Sequence, residues 1–106
     1  LTLFIRPQNG IGEEKREGVR PDLSLKLAQE LKASLERQGL PVLDIVQAPL
    51  LPLGRGDLPS VLVEMGYLTN REDKKQLAED AGLDRMAEAL YGGFKVFADK
   101  QKENMN

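Results

Sequence analysis

The chain has 106 residues, with 15 Lys and Arg against 17 Asp and Glu, and neither His nor Cys. Without Cys there are no disulfides, thiolate nucleophiles or Cys-built zinc and iron–sulfur sites; without His there is no Ser-His triad, imidazole acid–base step or His-held metal. A net charge of −2 with bases mixed among acids offers no basic stripe to a nucleic acid, and no apolar run approaches the roughly 20 residues of a membrane span.

Leu1 to Ile5 (LTLFI) reads as a short buried strand, stopped by Pro7 and the loop Asn9-Gly10-Ile11-Gly12. Residues 13–20 are charged without periodicity and read as a solvated loop. Pro21-Asp22 opens a helix in which Leu23, Leu27, Leu31 and Leu35 recur every four residues, with Gly39 as its C-terminal cap. A strand is expected at 42–46 (VLDIV). Residues 47–59 form an irregular loop, rich enough in Leu to pack against something.

Val61-Leu62-Val63 is apolar on both faces, which fits a central strand covered on each side, and Gly66 ends it. Thr69 and Asn70 are good N-caps for a short helix at about 71–78. In the last helix, Leu83, Met86, Ala87, Leu90, Tyr91, Phe94, Phe97 and Ala98 make one apolar stripe, expected to be core. The stretch from Lys100 to Asn106 reads as a polar, fraying tail. The order predicts one α/β domain over 1–99: a small open, mostly parallel or mixed sheet of about three strands flanked by about three helices. So few strands imply either an open edge or a piece of something larger, and the chain opens at Leu1 rather than Met.

Among candidate sites, Glu64 follows the apolar triplet directly, at the carboxyl end of its strand, the edge where ligands gather in open α/β sheets. A carboxylate partly desolvated there can shuttle protons; a strand-end Glu can also simply leave the core for solvent. Arg55-Gly56-Asp57 spells an adhesion tripeptide, but Gly-Asp-Leu-Pro is ordinary turn chemistry. Gly10-x-Gly12 lacks the third glycine and following helix of a dinucleotide loop. Asn70 is most simply a cap. Glu13, Glu14 and Glu17 have the chemistry for a hard cation and the pattern of a solvated charge run.

The stretch Gln47-Ala48-Pro49-Leu50 … Leu58-Pro59-Ser60-Val61-Leu62-Val63-Glu64-Met65-Gly66-Tyr67-Leu68-Thr69-Asn70 is more specific than any of these. It resembles the C-terminal part of the zinc-dependent N-acetylmuramoyl-L-alanine amidases, where Pro-Ser/Ala-Val-Leu-Val-Glu leads to Gly/Ala, an aromatic, Leu/Ile, Ser/Thr and Asn. Upstream, Ser24, Leu27 and Ala28 match the family's Ser-x-x-Leu-Ala helix. Downstream, Leu77 and then Ala87, Leu90, Tyr91 and Gly93 match its closing helix, so the resemblance covers about residues 24–98.

The resemblance implies part of the zinc-peptidase-like amidase fold. It also implies a substrate in peptidoglycan or muropeptides and a place in the cell envelope, periplasmic or extracellular. Glu64 matches the catalytic general acid–base glutamate. The family holds zinc with two His and one Glu; here Leu3-Phe4-Ile5-Arg6-Pro7-Gln8 can occupy the place of a histidine-bearing strand, which puts Gln8 at the lost ligand position. No cofactor is therefore expected on this chain. Two readings follow: an amidase-like hydrolase, inactive as this chain alone because its metal half is missing or supplied elsewhere, and a non-catalytic module of amidase ancestry that binds peptidoglycan or a protein partner.

Overall fold

The computed structural model describes residues 1–8, 22–54, 58–66, 71, 75 and 78–104. Strands β1 (Thr2–Ile5), β2 (Asp44–Gln47) and β3 (Leu62–Glu64) form a sheet in the order β2-β1-β3. β1 runs parallel to β2 and antiparallel to β3, so the sheet is mixed, as expected. Helices α1 (Ser24–Arg37) and α2 (Asp80–Asn104) complete a small α/β fold. Of the short helix expected at 71–78, the described residues Arg71, Lys75 and Ala78 are helical; the rest lie outside the described residues, as do Asn70, the Gly10-x-Gly12 loop, the 13–17 acids and Arg55-Gly56-Asp57.

The connectivity explains the strand directions. β1 and β2 are joined through α1, and a crossover of that kind returns the chain parallel. From the carboxyl end of β2 the chain makes a 3-10 turn at Leu51–Leu53, crosses the carboxyl end of β1 and enters β3 at Leu62, opposite Phe4. Entering from that end, β3 can only run back antiparallel. The central strand is therefore β1, not the Val61-Leu62-Val63 segment, which is an edge of the described sheet. Apolar residues on both faces do not distinguish the two, because LTLFI has them as well. The Leu-rich loop is packed at Leu53, while Leu51 and Leu58 face solvent.

α1 lays Leu27, Ala28, Leu31 and Leu35 on Leu3 and Ile5, all buried in one core. Its end is fixed by Gly39 at φ 76°, a conformation without penalty only for glycine. Gly39 N–H donates to Glu36 O at 3.0 Å and Leu40 N–H to Leu35 O at 2.9 Å, the paired bonds of a Schellman cap, with Leu40 and Leu35 both buried.

α2 corrects the sequence reading in two ways. Residues 100–104, expected as tail, continue the helix, and Lys100 pairs with Glu30 of α1. The apolar stripe also divides. Gly82, Met86, Ala89, Gly93 and Phe97 are buried, whereas Leu83, Ala87, Tyr91, Phe94 and Ala98 are exposed. The cause is backbone approach: a Cβ on Gly93 would stand 2.8 Å from Leu31 Cα and 2.9 Å from Glu30 O. The helices meet where the small residues allow it, and Ser34 Oγ donates to Ala89 O at 2.7 Å across the contact. The bulky residues are turned aside by that choice.

Candidate functional site

The two ends of β1 hold the polar groups that matter. Just past the carboxyl end, Arg6 enters the core at 8% exposure. Its Nε and Nη2 donate to the Asp22 carboxylate at 3.2 and 3.1 Å, and Nη2 also reaches Ser24 Oγ at 3.2 Å. Its Nη1 donates to Leu53 O at 2.6 Å and Nη2 to Leu58 O. Ser24, fully buried, donates to Asp22 Oδ1 at 2.6 Å and accepts Ser60 N–H at 3.0 Å. Gln8 joins the edge of this cluster, its Nε2 donating to Arg6 O at 3.0 Å and to Asp22 Oδ2 at 3.2 Å.

Burial alone would raise the Asp22 carboxyl, but the hydrogen bonds from Arg6 and Ser24 outweigh it and hold the group below its ordinary value. A guanidinium so enclosed clamps the loop before β3 against the start of α1. Sequence reading missed it. Arg6 stands beside Pro7 and Asp22 opens a helix, and nothing periodic links positions 16 residues apart.

Glu64 lies at the opposite end. It pairs with Thr2, and Thr2 pairs on its other side with Asp44, so carboxylate, hydroxyl and carboxylate form one row across the sheet. Val61 and Val63 pack toward the helices, which puts Leu62 and Glu64 on the other face, with Phe4 and Val46. Among the described residues no helix covers that face, and none hydrogen-bonds the half-buried Glu64 carboxylate. The carboxyl end of β3 is thus the amino end of β1. Thr2 and Ile5 are about 10 Å apart along the strand, and Gln8 lies beyond Ile5, so Gln8 and Glu64 do not share one site.

The family model for N-acetylmuramoyl-L-alanine amidase matches residues 15–96. The chain belongs to that family. Neither the curated proteins nor the solved structures yield a match. The amidase match contains Ser24, β3 with Glu64 and the α1–α2 contact, and leaves out β1 and Gln8. Zinc in proteins is held by Cys, His and carboxylate ligands. This amidase-family chain has no His or Cys, and among the described residues no three acidic side chains gather as a metal site. The described residues do not fit the zinc that such amidases use.

Proposed function

We propose that this chain presents the acid–base glutamate of a peptidoglycan amidase, Glu64, and does not by itself hydrolyse the N-acetylmuramoyl–L-alanine amide bond. The observation that carries this reading is the placement of Glu64. It stands within the family-matched stretch, at an open end of the sheet, with no described residue occupying its carboxylate. Such a group can take a proton from an attacking water and hand it to a leaving amine. The histidines that would hold a water-activating zinc are not among this chain's residue types. The place of action is the cell envelope, periplasmic or extracellular, where peptidoglycan is found.

A second reading, a module that binds peptidoglycan without cutting it, is favoured by the face that no described helix covers. There the half-buried Phe4 and Val46 and the exposed Leu62 lie beside Thr2, Asp44 and Glu64. One experiment addresses both. The purified chain is mixed with sacculi, and pelleting, stem-peptide release and zinc per chain are measured. Pelleting without release and with zinc far below one per chain is expected. Stoichiometric zinc with release that Glu64→Gln abolishes would overturn the claim that the chain alone is inert. Failure to pellet would overturn the binding-module reading.

A further inference from the structure

The outer stripe of α2 is apolar and exposed. Leu83, Ala87, Tyr91, Phe94 and Ala98 follow one another at spacings of four, four, three and four, on a band beside the face that α1 covers. Leu83 is 41% exposed, Tyr91 67% and Phe94 57%. Tyr91 and Phe94 also border an open groove of about 570 Å³ that reaches Leu27, Val63 and Leu90. An amphipathic helix with two apolar bands has two partners to satisfy, and α1 is only one of them.

We infer that the second partner is another copy of this chain, with the two α2 helices antiparallel about a two-fold axis near Leu90 and Tyr91. The stripe is complementary to its own reverse. In that register Leu83 meets Ala98 of the second copy, Ala87 meets Phe94, and the two Tyr91 rings meet at the axis, so bulky residues face alanines. A parallel pair would set Phe94 on Phe94 and Ala87 on Ala87 instead. The charges agree with the antiparallel choice. Asp84 and Glu88, on the Tyr91 flank, fall opposite Lys95 of the second copy, and Asp80 falls opposite Lys102. Among the described residues Lys95 forms an exposed pair with Asp99 at 2.8 Å, which can be shared across the axis. The contact runs about 22 Å of helix, at the small end of specific interfaces, so a dissociation constant of about 10–100 μM is expected.

Because the chain has no Cys, single cysteines report the register directly. Tyr91→Cys should form a disulfide-linked dimer on mild oxidation. Leu83→Cys should not, since its two copies would lie about 22 Å apart, beyond disulfide reach. Sedimentation equilibrium from about 10 μM to 1 mM should show a monomer–dimer equilibrium. Ala87→Glu should abolish it while leaving the melting temperature unchanged, because Ala87 is exposed. Lys95→Glu should weaken the dimer at least tenfold, and adding Asp84→Lys and Glu88→Lys should restore it. A chain monomeric at 1 mM, or a dimer indifferent to Ala87→Glu, overturns the inference and assigns the stripe to a different polypeptide. Equal cross-linking through positions 83 and 91 overturns the antiparallel register.

Discussion

At the carboxyl end of β1, the nitrogens of Arg6 reach Asp22, Ser24 and the carbonyls of Leu53 and Leu58, and the guanidinium and Ser24 are withdrawn from water. At the amino end, Glu64 sits half-buried on a face that no described helix covers, with no described residue bonded to its carboxylate. Both ends carry charge on a three-stranded sheet, and what separates them is satisfaction. A buried charge whose lone pairs and protons are all used has its interactions committed to the fold. A carboxylate without a described partner has them still to give.

That contrast can be broken from the clamp side. Arg6→Met should have the largest effect, because it strands Asp22 and the Leu53 and Leu58 carbonyls inside the structure; a loss of about 3–5 kcal/mol in urea unfolding is expected. Asp22→Asn should cost about 2 kcal/mol at neutral pH, since Asn returns only part of a charge-assisted bond. Its pH dependence has a definite sign. The folded carboxyl lies below its ordinary value of 3.8, so the stabilisation is fully present above that value and is lost as pH falls through the lower, folded one. The gap in stability between the wild-type chain and Asp22→Asn should therefore close on acidification below about pH 4. Ser24→Ala should cost about 1 kcal/mol, through the lost bond to Asp22 and the unpaired Ser60 N–H.

How much of this was legible in the sequence depends on how local the cause is. The Leu repeat of α1 and the Gly39 cap act within one or two turns, and both were readable. The place of β3 was not. It depends on the chain crossing the end of β1, which is fixed by Arg6 reaching residues 53 and 58, far along the sequence. The α2 stripe shows the same limit in another form. Periodicity located every apolar residue on one side of the helix, but Gly93 against Leu31 decides which of them face α1, and that is a property of two helices together. For the candidate site, Glu64 could be named from its neighbours in sequence. Gln8 could be set beside it only by assuming that both lie at one end of the sheet, and the antiparallel β3 separates them.

The smallest effect on stability should come from the other end of β1. Glu64→Gln keeps the size of the side chain and one acceptor oxygen, replaces the other with an amide donor and removes the charge, and no described partner is lost. Urea unfolding should therefore change by less than about 0.5 kcal/mol, the range of surface substitutions without committed partners. Arg6→Met and Glu64→Gln then form a pair: the first damages the fold, and the second leaves the fold intact while altering whatever the carboxylate serves. If Glu64→Gln unfolds the chain as readily as Ser24→Ala does, the carboxylate has a structural partner and the difference between the two ends disappears. If stability is unchanged and pelleting with sacculi falls, the charge itself contacts the wall. If both are unchanged, Glu64 takes no part in the fold or in wall binding, and the carboxylate is only inherited.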